Sequence, residues 1–184
     1  MTNSQSDFPL NDQNFQADLL KIKKVFADLI TQASDGKIPI RSSHVHGLHH
    51  FEELYIRARA GMCSVLGYPV MVVSTISVKE PGTGIFRALL AELKCIADEQ
   101  NYILKIENVL PPLFRKYLIQ EGFVFPGEPW MCGSGYWFKN PQVLHENIEL
   151  LSVEVDLTIS LELTCPRNWY QTLQEWRMKS YFQF

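Results

Sequence analysis

The sequence predicts an α/β fold: a mixed sheet flanked by helices, with a strand-plus-helix extension at the C-terminus. Three observations carry this expectation. A β-branched run, "VMVVSTISV", passes through a glycine loop, "KEPGTG", directly into an amphipathic helix, "IFRALLAELKCIADEQ". A second strand-like run, "YILKIENV", follows and leads into a short helical stretch that stops at "EGF". Strand, helix, strand with a helical crossover implies that both strands lie in one sheet and run parallel. Finally, residues 151–163 alternate strictly between apolar and polar, the period of a strand with one buried face.

Taken in order, residues 12–33 read as a helix. Phe15, Leu19, Ile22, Phe26, Leu29 and Ile30 recur at helical spacing, and Asn11 or Asp12 is placed to cap. Residues 48–60 read as a second helix, with Leu48, Phe51, Leu54, Tyr55 and Ala58 on one side. "YPVMVVSTISV" has no helical period and reads as a buried central strand. The helix from Gly84 to about Glu99 would bury Ile85, Phe86, Leu89, Leu90, Leu93, Ile96 and Ala97. Residues 102–109 form the next strand. Pro111 and Pro112 suit a helix first turn, and Gly122 suits a left-handed stop. Residues 126–140 read as a loop plus a short strand. After Pro141 come the alternating run, as one strand or two meeting at a kink, and a terminal helix from about Arg167 to Lys179. The expected organisation is a domain over 1–140, with its motif core at 70–125, and an extension over 141–184 packed on it.

Composition narrows the class. A chain of 184 residues with 46% hydrophobic and 20% charged residues is long enough for a buried core and is not of disordered type. The formal net charge of −3 gives no general attraction to nucleic acid. The four cysteines, Cys63, Cys95, Cys132 and Cys165, form no C-x-x-C pair, so neither a zinc ribbon nor a redox motif is indicated. The polar N-terminus has no signal-peptide pattern, and no apolar run approaches the ~20 residues of a membrane span. A cytoplasmic protein is expected.

The glycine loop at a helix start is an anion site in kind: unpaired N–H groups point outward there and the helix dipole favours negative charge. At "VKEPGTGIFRALLAEL … LKIENVLPPLFRKYLIQEGF" the chain resembles the GCN5-related N-acetyltransferase family, over about residues 70–125. The "GIFRALL … ENVLPPLFRKYL" variant resembles divergent acetyltransferase-like proteins of bacteriophages and mobile elements. Family members place a loop of pattern Arg/Gln-x-x-Gly-x-Gly/Ala between strand and helix, and its amides hold the coenzyme A pyrophosphate. Here the pattern falls on Pro81, Gly82, Thr83, Gly84, Ile85 and Phe86; Gly84 matches, and Pro81 and Phe86 depart.

The resemblance implies a GNAT-like fold and transfer of an acyl group, acetyl in the first instance, from acetyl-CoA to an amine by direct attack. It implies cofactor contacts at Ser77, Val78, Gly82, Thr83, Gly84 and Ile85. It implies Tyr117 as general acid, one residue off the family's tyrosine place, which Leu118 holds. Glu107 ends a strand at the carboxyl edge, where open α/β sheets bind ligands, and is a candidate general base; the plainer reading is a solvated carboxylate. The acceptor would be a small-molecule or protein amine.

Two alternatives remain open at this stage. One is a GNAT-like binding or inhibitory protein that has lost catalysis, which Pro81, Phe86 and the displaced Tyr117 favour. The other is a nucleobase- or nucleic-acid-modifying enzyme, for which Trp130, Tyr136 and Trp137 would stack on a base; they could equally wall an acceptor pocket, and core packing is the plainer reading for at least one of them.

Four of the five histidines, His44, His46, His49 and His50, fall within seven residues. Their spacing is compatible with zinc ligation, but no spaced second half accompanies them, and no metal is expected. They read as a solvated loop or as part of the acceptor side. Arg41, Arg57 and Arg59 with Lys37 read as a solvated basic face. Finally, the alternating strand needs cover, so a homodimer through residues 151–178 is expected, with a monomer covered by its own terminal helix as the competing outcome.

Overall fold

The computed structural model describes residues 12–35, 38–127 and 133–152. Helix α1 (Gln13–Ser34) is capped by Asp12, whose carboxylate accepts from the N–H groups of Asn14 and Phe15. Then follow β1 (Ile40–His44), β2 (Phe51–Arg59), a short 3-10 turn at Gly61–Cys63 and β3 (Val70–Val78). Helix α2 (Ile85–Gln100), β4 (Ile103–Val109), α3 (Pro112–Gln120), β5 (Gly133–Trp137) and α4 (Pro141–Glu146) complete the described order. The strands form one five-stranded sheet in the order β1-β2-β3-β4-β5, antiparallel except for the parallel β3–β4 pair across the α2 crossover.

One face of the sheet carries the main core. Phe15, Leu19, Ile22 and Phe26 of α1, Ile85, Leu89, Leu90 and Leu93 of α2, and Leu118 of α3 pack on Leu54, Ile56, Met71, Val73, Leu104 and Ile106. The opposite face is divided. Val70, Val72, Ile103, Tyr136 and Phe138 pack with Leu144 and Leu151, while Arg57, Lys105 and Glu107 place charge on the same side. No described helix is long and apolar enough to cross a membrane.

The structure corrects two expected elements. Residues 51–59 are a strand, not a helix. Buried residues Phe51, Leu54, Ile56 and Ala58 mimic a helical stripe because bulges interrupt the β2–β3 register between Phe51 and Glu53 and between Tyr55 and Ile56. An extra residue in a bulge turns the strand period of two into an interval of three. Leu151 does not begin a strand. It lies in a helical turn over 148–152, donates its N–H to the carbonyl of Asn147 and is fully buried. The expected strand beyond Leu151, the terminal helix, most of the 151–178 interface, and Lys37, Trp130, Cys132 and Cys165 lie outside the described residues.

Candidate functional site

The site starts from a break in the sheet. Strands β3 and β4 pair only from Val70↔Ile103 to Val73↔Ile106. Both then continue, but apart. Residues 75–78 of β3 stay paired with β2, and Val109 of β4 pairs with Gly133 of β5. A register shift between Ile106 and Val109, with Asn108 in the left-handed region (φ 55°), turns β4 away. The result is a gap in the ladder between Ser74–Val78 and Glu107–Val109, toward the carboxyl ends of both strands, bridged at its start by the Ser74–Glu107 hydrogen bond. Ligands bind at this edge in open α/β sheets.

The glycine loop lies at the open end. Gly82 and Gly84 both take φ 83°, a conformation that side-chain-bearing residues reach only with strain. A Cβ at either would meet nothing within 4 Å, so the loop backbone is open to an approaching group. Thr83 Oγ1 donates to the Glu80 carbonyl at 2.7 Å and closes the loop from inside. Gly84 caps α2 with no side-chain hydrogen bond, and the first turn holds no acidic residue. The first N–H groups of α2 therefore keep their capacity for an anion. Ile85 is buried in the main core, so only its backbone is available to the loop. Phe86 turns its ring between α2 and α3, edge-on to Phe114 at 5.2 Å and 6.1 Å from Tyr117. Ser77 and Val78 sit at the end of β3, half-buried, with Ser77 Oγ donating to Glu52 at 2.9 Å.

Tyr117 lies on α3 against these rings, stacked on Phe114. Its hydroxyl is buried without a hydrogen-bond partner. Burial, and then the Glu121 carboxylate, raise its pKa above the usual tyrosine value despite Arg87. The O–H is thus a neutral, unspent donor.

Glu107 is not the solvated carboxylate of the plainer reading. Its side chain is 8% exposed. Oε2 accepts from Arg57 Nη2 and from Ser74 Oγ at 2.8 Å, and Oε1 lies 3.4 Å from Lys105 Nζ. Burial alone would raise its pKa, but Arg57, Lys105 and Ser74 together hold it below the ordinary 4.5. Lys105 is itself 1% exposed and lies over the Tyr136 ring. Arg57, Lys105 and Tyr136 occupy one row of the sheet, because Arg57, Val72, Lys105 and Tyr136 are register partners across four strands, and Ser74 and Glu107 lie two positions further along β3 and β4.

Several expected surface groups are committed elsewhere. Tyr136 is fully buried, and Trp137 packs on the main core. Neither is an open stacking platform. Arg59 Nε donates to the Cys63 carbonyl, and with Arg57 on Glu107 the solvated basic face does not form as expected. Among the described residues no group of three His, Cys, Asp or Glu is placed to hold a metal ion. Arg57, Ser74 and Lys105 were not singled out as a charge network with Glu107 from the sequence; a lysine inside the apolar run "YILKIENV" was the available signal.

No family model, curated protein or solved structure matches the chain.

Proposed function

We propose that the protein is an acyl-CoA-dependent N-acyltransferase, acetyl in the first instance, whose amine acceptor attacks the thioester directly. The divergence of β3 from β4 carries this reading. Beyond Val73, β3 has lost β4 as a backbone partner, and an extended amide-bearing chain can add to a strand edge of that kind. The same strand ends at a glycine loop and a helix N-terminus without a side-chain cap bond, which suit a pyrophosphate. Coenzyme A combines an extended amide-bearing arm with a pyrophosphate. The arm would follow Ser74–Val78, and the pyrophosphate would meet the N–H groups of Gly82–Ile85. The neutral, unpartnered hydroxyl of Tyr117 fits a general acid for the departing thiolate.

Glu107 fits the role of base poorly. A carboxylate held by a guanidinium, an ammonium and a hydroxyl is a weak acceptor for an amine proton. It fits better as a fixed charge that joins β2, β3 and β4 where the ladder stops. This observation favours one second reading, a coenzyme A-binding protein without transfer activity. The nucleobase reading has lost Tyr136 and Trp137 as stacking surfaces.

Calorimetry and thermal unfolding with coenzyme A test the site. A ligand at 100 times its Kd adds about 2.7 kcal/mol to stability. Gly84→Val should abolish that increment while the variant still folds. A wild-type protein that neither binds nor is stabilised would remove both readings. Binding without acetyl transfer to any amine would select the second.

A further inference from the structure

Strand β3 lies between β2 and β4, so those two strands share no backbone bond. They stand two strand spacings apart, about 10 Å. One side chain bridges them. Arg57 leaves β2 on the face opposite α1 and α2, crosses over β3 and donates through Nη2 to Glu107 Oε2 on β4. Ser74 Oγ of β3 donates to the same oxygen at 2.8 Å. The guanidinium therefore lies over β3 at Ser74, the first residue past the last β3–β4 backbone pair, Val73↔Ile106. This is the closed end of the gap.

One guanidinium nitrogen of the three is spent. Nη2 is held by Glu107. Nε is buried and has no hydrogen-bond partner. Nη1 also has none among the described residues, but it is not buried, and the Arg57 side chain is 29% exposed. The guanidinium is a planar fork, so holding one arm on a carboxylate fixes the direction of the others. Glu107 is shared with Ser74 and with Lys105 Nζ at 3.4 Å, so it does not serve Arg57 alone. Lys105 is 1% exposed and out of reach of a ligand. Arg57 thus brings a fixed cation with an open donor to Ser74.

The histidines stand apart from this end. Asp18 of α1 accepts the backbone N–H of His49 at 2.8 Å and that of His50 at 2.9 Å. The two ring Nδ1 atoms lie 3.0 Å and 3.2 Å from its oxygens. The His50 carbonyl accepts from the Lys79 N–H at 3.0 Å, beyond the far end of β3. His44 packs against Tyr55 at 4.4 Å, on the β1 side of β2.

Attack on a thioester places negative charge on its carbonyl oxygen. A preorganised donor there stabilises the transition state more than the ground state. In the acyltransferase reading the pyrophosphate meets Gly82–Ile85 and the arm follows β3 from Val78 back to Ser74. Its thioester then stands at the closed end of the gap, at the Arg57 fork. We infer that Arg57 is a catalytic residue whose Nη1 donates to the thioester carbonyl oxygen, and that Glu107 is its positioning residue. The inference rests on the acyltransferase reading above. The lone pair of the acceptor nitrogen bonds to the acyl carbon, and the carbonyl π pair moves to the oxygen that Arg57 holds. That pair returns as the carbon–sulfur bond breaks. The nitrogen gives its proton to water, and the thiolate takes one from Tyr117, which water restores.

The test uses the full chain and compares two forms of the cofactor by calorimetry. Coenzyme A has a thiol at the reacting place, and S-carboxymethyl-coenzyme A has a carboxylate beside it. Wild-type protein should bind the carboxymethyl form at least about 10-fold more tightly, the effect of a hydrogen bond to a charged group. Arg57→Gln should lose that preference and bind coenzyme A as the wild type does. Arg57→Lys is the second variant should the first not fold. It keeps a counter-charge for Glu107, leaves nothing at the Nη1 position and should lose most of the preference. With acetyl-CoA as donor and hydroxylamine as the amine, the kcat for thiol release should fall about 100-fold at unchanged KM. A wild-type protein that binds both forms alike overturns the role of Arg57 and leaves the acyltransferase reading in place. Variants that keep the full preference or the full kcat do the same. Wild-type protein that binds coenzyme A without releasing thiol overturns this inference in favour of the binding protein. Wild-type protein that does not bind coenzyme A overturns both proposals.

Discussion

Ser74 Oγ donates a 2.8 Å hydrogen bond to Glu107 Oε2, joining β3 to β4 one residue beyond their last backbone pair, Val73↔Ile106. Side chains take over at the point where the ladder stops. Arg57 from β2 and Lys105 from β4 converge on the same carboxylate.

Glu107→Gln should therefore act on stability. It leaves the buried Lys105 ammonium and the Arg57 guanidinium without their shared counter-charge. Removing one partner of a buried pair costs about 3–5 kcal/mol. Ser74→Ala, which removes a single hydrogen bond, should cost about 1 kcal/mol. Urea unfolding of the two variants measures the difference. A Glu107→Gln midpoint equal to that of Ser74→Ala would mean that the charges are not mutually dependent.

Acid should weaken the fold in a defined window. Glu107 and Asp18 both have folded-state pKa values below their unfolded values of about 4.5 and 3.8. Depressed carboxyl groups stabilise the native state above the unfolded pKa, and that contribution is lost as pH falls through the folded one. Stability should be flat on this account near neutrality and decline below about pH 4.5. Asp18→Asn should lower neutral stability and make the decline shallower. Chemical denaturation at a series of pH values reads both effects.

Gly135→Ala tests a close contact on β5. A Cβ there would stand 2.6 Å from Phe125 Cζ, and Phe125 in turn carries the Arg115 guanidinium 4.6 Å above its ring. The ring must move, and overpacking of this kind costs about 1–3 kcal/mol. A thermal midpoint unchanged from wild type would show that Phe125 is free to yield.

Leu151→Ala should cost about 2–5 kcal/mol, because the side chain is fully buried with Val70, Val72 and Leu144. A solvent-facing position would lose almost nothing. The same measurement thus distinguishes a helical turn packed on the sheet from an exposed strand start.

The strand–loop–helix–strand passage was legible because its signals are local. β-Branched residues, two glycines one residue apart and a strong apolar stripe each report on neighbouring residues. The β2 strand was not, because its bulges gave Phe51 and Leu54 a helix-like interval. Leu151 was assigned to the alternating run, although Leu144, Ile148 and Leu151 recur at helical spacing and the helical turn at 148–152 follows it. The glycine loop was visible in the sequence, whereas the charge network was not. Glu107 meets Arg57 across 50 positions and Ser74 across 33, and only the sheet register brings them together. Asp18 left one trace: a carboxylate among Phe15, Leu19 and Ile22 on the buried side of α1 requires a partner, though nothing local identifies His49 and His50.

Between β1–β3 and β4–β5, the described residues share one backbone seam, four register pairs long and confined to one end. Two plates fastened at one end resemble a pair of jaws more than a rigid slab. On the core side α2 packs on both jaws, and on the other face the Glu107 carboxylate ties them, so the space between them is set by side chains and not by a ladder.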